Sequence, residues 1–103
     1  MTLKVKITEK SLTLSIRQLL KMFGVFHWKV HQGLGSTPGV SDILGVWKGR
    51  MLAIEVKAPR GKPTPVQTTF LKRIENEGGI AILAYSVDDV IRGLNLEDRF
   101  LQI

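Results

Sequence analysis

Apolar and polar positions along the chain predict an alternation of helices and strands. From about Thr8 to Phe23 the apolar residues recur at spacings of four, three, one and three, which places them on one face of a helix. Gly24 follows and should end this helix, because glycine readily adopts the left-handed conformation of a C-terminal cap. The predicted buried face consists of Leu12, Ile16, Leu19, Leu20 and Phe23.

Residues 25–31 alternate between apolar and polar side chains, which predicts a half-buried strand. Phe26, Trp28 and Val30 lie on its apolar side. We interpret Trp28 as a core or interface residue rather than as a platform for base stacking. Three glycines and a proline in residues 32–41 then predict a long loop, of a kind that often contacts ligands.

Two further strand-like runs, residues 42–47 and 51–57, are joined through Lys48 and Gly49. Gly49 can supply the positive φ that a tight hairpin requires, so we expect a two-residue turn here. Residues 58–63, with two prolines, form a basic loop.

The rest of the chain predicts a helix, a strand and a helix. An N-cap at Thr64 begins a helix that runs to about Glu77. Residues 80–85 are continuously apolar, which is typical of a strand buried on both faces, and Ser86 resembles the N-cap of a last helix to about Gly93. The first of these helices should bury Phe70, Leu71 and Ile74.

The predicted order is α-β-β-β-α-β-α in one α/β domain, residues 1–103, with a mixed central sheet flanked by helices. The last strand should lie parallel to a neighbour, because a helix connects it to the strand before. With 103 residues, of which 44% are hydrophobic, the chain can form a single modest core. Residues 1–6 also alternate, as an edge strand or a frayed arm would.

A net charge of +6 favours an anionic partner such as nucleic acid. The absence of cysteine excludes disulfides, thiolate metal sites and thiol nucleophiles, and it fits a reducing compartment. No apolar run is long enough for a membrane span and no secretion signal is recognisable. We therefore expect a cytoplasmic protein without membrane contact.

The register of the hairpin brings two carboxylates together. If the turn has two residues, Trp47 pairs with Arg50, and counting outwards places Asp42 opposite Glu55 on one face. Cβ atoms of opposed residues are about 4.5–5.5 Å apart, where like charges repel. A divalent hard cation such as Mg²⁺ would offset that repulsion. Lys57, two residues beyond Glu55, projects from the same face.

Two acids, a lysine and a metal ion suit the hydrolysis of a phosphodiester. Phosphates would be held by nearby basic residues, and the candidates for DNA binding are Lys48, Arg50, Arg60 and Lys62. The alternative is an exposed hairpin end, at which Glu55 and Lys57 are merely solvated.

Four segments resemble, in order and spacing, the motifs of the VRR-NUC domain in the PD-(D/E)XK nuclease superfamily. They are Gly39-Val40-Ser41-Asp42-Ile43, Ile54-Glu55-Val56-Lys57-Ala58-Pro59, Pro65-Val66-Gln67 and Gly78-Gly79-Ile80. The resemblance covers roughly residues 9–93 and implies a restriction-endonuclease-like fold. It also implies that Asp42, Glu55 and the carbonyl of Val56 bind Mg²⁺ or Mn²⁺, with Lys57 as the catalytic lysine. Ser41 stands where the family usually has proline, which should alter loop stiffness more than chemistry.

The resemblance implies roles for two more residues, each with an alternative. Gln67 matches a catalytic-site glutamine of the family, but Thr64 to Gln67 also satisfies a helix capping box. Glu9 matches an acid on the family's first helix that contributes to the metal site. An acid in the first turn of a helix is also ordinary compensation of the helix dipole.

The function that these residues favour is a metal-dependent DNA endonuclease. Stand-alone members of the family look like Holliday-junction resolvases, which implies a homodimer acting on branched DNA in a bacterial or virus-infected cell. Three alternatives remain: a linear-duplex nuclease of a defence or restriction type, a nucleic-acid-binding module without turnover, and a subunit that cleaves only when a partner recruits it.

Overall fold

The fold is a mixed four-stranded sheet with helices on both faces, in a computed structural model that describes residues 6–31, 33 and 36–97. The elements are α1 (Glu9–Met22), β1 (Phe26–Lys29), β2 (Ile43–Trp47), β3 (Arg50–Val56), α2 (Pro65–Asn76), β4 (Ile80–Ala84) and α3 (Val87–Gly93). This order confirms the prediction. Most of the predicted N-terminal arm, residues 1–5, lies outside the described residues. Among the helices described, none has the length and apolar character needed to cross a membrane.

The strands lie in the spatial order β1-β2-β3-β4. The pairs β1–β2 and β2–β3 are antiparallel, and β3–β4 is parallel, as predicted for a strand reached through a helix. Lys48 and Gly49 have φ values of 51° and 79°, which is the pattern of the two-residue type I′ turn. Trp47 therefore pairs with Arg50, and the predicted hairpin register is confirmed.

One face of the sheet carries the core. Ile43 of β2 and Leu52, Ile54 and Val56 of β3 are fully buried there against α1 and α3. The predicted apolar face of α1 is confirmed, with Phe23 only partly buried. The helix begins at a capping box formed by Thr8 and Ser11 and ends before Gly24, whose φ is +70°.

The second face of the sheet is only partly covered. Helix α2 packs against β3 and β4, and this accounts for the complete burial of Ala53. The apolar residues of α2 are half-buried rather than buried as predicted, and β4 likewise buries one side more than the other. The half-burial of α2 and the uneven burial of β4 have one cause. Helix α2 packs on the sheet with one side only, and its other side faces solvent.

Strand β1 departs further from the prediction. Phe26 and Trp28 are 69% and 41% exposed, so the expectations that the apolar side of this strand is buried and that Trp28 lies in the core are wrong. An interface role of Trp28 stays a prediction. The strand lies at the edge of the sheet, and α2 does not extend over it. Trp47, in contrast, is buried in the core.

The loop before β2 is fixed against the start of α2. A Cβ atom on Gly39 would overlap the backbone carbonyl of Val66, and Gly39 has a φ of +72°. The following residues Val40 and Ser41 are buried. The chain therefore enters β2 from a defined direction, which fixes the position of Asp42.

Candidate metal centre

Asp42 and Glu55 face each other at the end of the β2–β3 ladder. The last backbone pair of this ladder is Ile43 with Ile54, so the next residues outward, Asp42 and Glu55, oppose each other. On its other side, the backbone carbonyl of Asp42 accepts a hydrogen bond of 2.8 Å from the N–H of Val30, which extends the ladder to β1. The juxtaposition of the two acids thus follows the predicted register.

The Asp42 side chain has a structural partner. The backbone N–H of Val56 donates to its Oδ2 at 2.8 Å, in place of a backbone acceptor. Because the N–H and C=O of one strand residue point to the same edge, the Val56 carbonyl also faces the Asp42 side. The next residue, Lys57, donates its backbone N–H to the carbonyl of Ala84 and so continues the parallel ladder.

Glu55 is 1% exposed and its environment disfavours negative charge. Burial, followed by the negative charge of Asp42, raises the pKa of Glu55 from 4.5 to about 7, and the positive charge of Lys57 opposes the rise. Lys57 Nζ lies 3.6 Å from Glu55 Oε1. The other oxygen, Oε2, is buried and has no hydrogen-bond partner within the part of the chain that the structure describes. A buried oxygen in this state lacks the partner that such groups almost always have.

These groups fit a hard divalent cation. The unpartnered Glu55 Oε2, the Asp42 carboxylate and the Val56 carbonyl are all oxygen donors, which Mg²⁺ and Mn²⁺ prefer. Mg²⁺ is commonly held by one or two carboxylates and keeps several waters. Over residues 6–31, 33 and 36–97, no group of three acid, histidine or cysteine side chains is placed to hold a metal. The carboxylates that this geometry would offer to a cation are those of Asp42 and Glu55.

Glu9 does not join this pair. Its side chain is exposed in the first turn of α1, where its negative charge compensates the helix dipole. Its predicted metal-ligand role finds no support in this placement. The role was assigned to Glu9 from its position along the chain. In the structure, α1 packs on the core face of the sheet, whereas Asp42 and Glu55 lie on the opposite face.

Gln67 forms the predicted capping box. Its side-chain Oε1 accepts from the Thr64 N–H at 2.9 Å, and its own N–H donates to Thr64 Oγ1 at 3.2 Å. The capping interpretation is confirmed. A catalytic contribution of Gln67 stays a prediction, and it would require the side chain to exchange its cap partner for a group in the site.

The predicted phosphate-binding residues divide into two pairs. Arg60 and Lys62 are exposed in the loop directly after Lys57, and Tyr85 Oη fixes this loop by donating to the Gly61 carbonyl at 2.8 Å. This pair lies on the same end of β3 as the carboxylates.

Lys48 and Arg50 do not surround the site, which corrects the prediction. Arg50 precedes Glu55 by five residues in an extended strand, a separation of about 17 Å. The Arg50 guanidinium donates to the carbonyls of Gly78 and Gly79 after α2, and Lys48 Nζ lies 5.4 Å from the Trp47 ring centroid. Both cations therefore stabilise the far end of the hairpin.

Sequence reasoning missed the buried state of Ser41. The residue is fully buried beside Asp42, and its Oγ has no hydrogen-bond partner among the described residues. A serine at the end of a glycine-containing loop is usually exposed, so the pattern gave no signal of its burial. Two buried oxygens without a hydrogen-bond partner among the described residues thus belong to the residue before Asp42 in the chain and to the residue opposite it.

Comparisons of the chain with protein-family models, with curated proteins and with solved structures find no match. The assignment of a function consequently depends on the residues and geometry described above. Chemically, the arrangement can bind a divalent cation, place an ammonium group beside it and present two further cations from the adjoining loop.

We predict that Asp42→Ala lowers the free energy of unfolding by about 1–3 kcal/mol, because it leaves the buried Val56 N–H without an acceptor. Asp42→Asn keeps a side-chain oxygen at that position and should change stability by less than about 1 kcal/mol. Urea unfolding of the two variants in EDTA measures the difference. Equal destabilisation by both would show that the carboxylate charge, rather than the hydrogen bond, stabilises the strand end.

We also predict that the charged Glu55 carboxylate lowers the free energy of unfolding of the metal-free protein, and that this effect depends on pH. Its folded-state pKa is raised, so its favourable contribution to stability is complete below about pH 4.5 and is lost as the pH rises through about 7. Glu55→Gln should therefore stabilise the protein by roughly 2 kcal/mol at about pH 8 and have little effect at about pH 4.5.

Urea unfolding at the two pH values, in EDTA, tests this, with Glu75→Gln on the exposed surface of α2 as the matched control. Destabilisation by Glu55→Gln of the same size at both pH values would contradict the expectation, since the pH-dependent part would then be absent.

Proposed function

We propose that this protein is a Mg²⁺- or Mn²⁺-dependent DNA endonuclease that hydrolyses backbone phosphodiesters. The observation that carries the proposal is the opposed Asp42–Glu55 pair, in which Asp42 is half-buried and Glu55 is buried. Glu55 Oε2 has no hydrogen-bond partner among the described residues, and Lys57 Nζ lies 3.6 Å from Oε1. Placing a half-buried carboxylate opposite a buried one is unfavourable for a purely structural role, and a cation-binding role would account for it.

The roles of the residues follow from their positions. Asp42, Glu55 and the Val56 carbonyl would hold the cation, which when bound lowers the pKa of a water and neutralises phosphate charge. The oxygen of such a water would attack phosphorus and lose its proton to solvent, while the bond from phosphorus to a sugar oxygen would break and the leaving oxygen would take up a proton from solvent. Lys57 would stabilise the charge that develops on the attacked phosphate, since its ammonium is beside the carboxylates and only 13% exposed.

Branched DNA is the substrate that we propose, cleaved by a homodimer. A specific DNA complex commonly buries about 1,000–2,500 Å² of protein surface, a large part of the 7231 Å² that one chain exposes. Two copies would share that requirement and place two metal centres on the two sides of a branch point. The net charge of +6 and the exposed Arg60 and Lys62 beside the site support a polyanionic substrate.

We expect the protein to cut a four-way DNA junction in the presence of Mg²⁺ and to cut the matched linear duplex more slowly. Cleavage should stop in EDTA and in Asp42→Asn, which keeps the hydrogen bond to Val56 but removes a metal ligand. Product lengths on a denaturing gel measure both rates. Because Asp42→Asn retains the fold, it also serves as the control for a contaminating nuclease.

Other outcomes identify the alternatives. Cleavage that Asp42→Asn does not affect would contradict the metal site, and faster cleavage of linear duplex at a fixed sequence would indicate a defence or restriction type. Binding of the junction without cleavage would indicate a binding module or a subunit that needs a partner.

Lys57→Met should lower the single-turnover rate by roughly 100-fold at saturating Mg²⁺, because it removes the charge that stabilises the transition state and keeps the apolar stem. The rise in melting temperature on adding Mg²⁺ should persist, since the oxygen ligands are unchanged. Lys72→Met, on the exposed surface of α2, is the matched control. Loss of the Mg²⁺-induced stabilisation together with activity would make Lys57 a part of the metal site's structure instead.

A further inference from the structure

An aromatic pair is exposed on the edge strand of the sheet. The rings of Phe26 and Trp28 have centroids 5.6 Å apart and planes inclined at 54°. Their exposed fractions, 69% and 41%, are high for the two largest apolar residues of a strand. Two adjoining exposed aromatic rings form an apolar patch of the kind that can serve as a binding surface.

The aromatic pair lies on the same face of the sheet as the metal centre. Trp28 pairs with Leu44, and Leu44 shares its face with Asp42 two residues earlier in the chain. Trp28 and Asp42 are thus diagonal neighbours on adjacent strands, with Cα atoms about 7–8 Å apart, which is within reach of a large ring. Phe26 lies one step further from the site on the same face, opposite Val46.

We propose that Trp28, extended by Phe26, is a stacking platform for unpaired DNA bases next to the phosphate that is cleaved. This inference rests on the proposed nuclease function and specifies how its substrate is chosen. A sheet that presents aromatic rings can stack successive bases, because every base has a flat π-face. A phosphate held at Asp42 and Glu55 leaves the adjoining base within reach of Trp28.

The platform accounts for a preference for branched DNA. In an intact duplex, both faces of each base are covered by neighbouring bases, so a protein ring cannot stack on them without unpairing the strand. Unpairing costs a few kcal/mol and is least costly at a base that is already single-stranded. Bases at a branch point or on a flap are therefore the ones that Trp28 can bind.

A nucleic acid fits this surface better than a second copy of the chain. An aromatic side chain offers about 150–250 Å² when it is fully buried, so the exposed parts of Phe26 and Trp28 offer on the order of 200 Å². A standard protein interface needs about 800 Å² per partner. The chain is also strongly basic, and Lys57 projects from this same face, so that charge as well as shape matches a polyanion with flat rings.

Binding of short oligonucleotides in EDTA tests the platform without any hydrolysis. A 12-residue oligodeoxythymidylate should quench the tryptophan fluorescence of exposed Trp28 and bind more tightly than an abasic strand of equal length or a duplex. Trp28→Leu should weaken binding of the oligodeoxythymidylate roughly 10-fold. Trp28→Phe should retain most of the affinity, because it keeps an aromatic face, and should remove the quenching, since the remaining Trp47 is buried.

The matched control is Met22→Ala, which removes an exposed apolar side chain from α1 on the other side of the sheet and should leave affinity unchanged. Thermal melting verifies that each variant is folded. Equal affinity for the abasic strand, or an unchanged affinity of Trp28→Leu, would overturn the proposal. Sedimentation gives a further test. The proposal would also be overturned if the wild type were a dimer that Trp28→Leu preserves and Trp28→Ala dissociates, since the aromatic pair would then bind a second copy of the chain.

The result can be separated from the test of the nuclease. Suppose that the oligonucleotide quenches tryptophan fluorescence and that Trp28→Leu lowers its affinity, but that no DNA is cleaved in Mg²⁺. This result would support the stacking platform and contradict the nuclease function. Cleavage by a protein whose Trp28→Leu variant binds single strands normally would contradict the platform alone.

Discussion

The two-residue turn at Lys48 and Gly49 determines the geometry on which the site depends. Both residues have positive φ, and the turn admits one pairing of β2 with β3. A slip of one residue would move every side chain of β3 to the other face of the sheet. Leu52, Ile54 and Val56 would then leave the core, so the same packing that stabilises the fold also holds Asp42 opposite Glu55.

The opposed carboxylates of Asp42 and Glu55 repel each other, and their neighbours offset this repulsion only in part. The Val56 N–H satisfies one oxygen of Asp42, and the ammonium of Lys57 offsets some of the charge of Glu55. The remaining Glu55 oxygen is buried without a partner among the described residues, and burial raises the pKa of this carboxyl to about 7. Under the proposed function, a bound cation would relieve this unfavourable arrangement, because it would replace repulsion between the carboxylates with coordination.

The sequence predicts the element order, the turn and the register, because local signals determine each of them. The turn requires a glycine, the core face of β3 requires alternation, and the two acids then follow by counting. The same counting, taken one step further, shows where the prediction about Lys48 and Arg50 went wrong. A strand rises about 3.3 Å per residue, so a residue near the turn cannot reach a site at the opposite end of β3.

The exposure of a side chain also depends on which helix packs over its strand, and the hydrophobic pattern of the sequence does not show this. Alternation in β1 indicates that Phe26 and Trp28 share a face, but not that this face lies beyond the reach of α2. The half-buried state of Phe70, Leu71 and Ile74 has the same origin, since α2 lies over β3 and β4 with its far side in solvent. The burial of Ser41 likewise depends on tertiary packing at the end of the loop before β2, which the local sequence pattern does not encode.

The unequal covering of the two faces connects stability with function. Helices α1 and α3 close the core face, which supplies most of the buried apolar area. Because that face stabilises the fold, the other face can leave β1 and β2 open and place polar and aromatic groups there. Asp42, Glu55, Lys57 and Trp28 all lie on this second face of the sheet, so a substrate that reached the proposed metal centre would also meet the aromatic rings. If both proposals hold, one surface would combine the chemistry of cleavage with the selection of the strand to be cleaved.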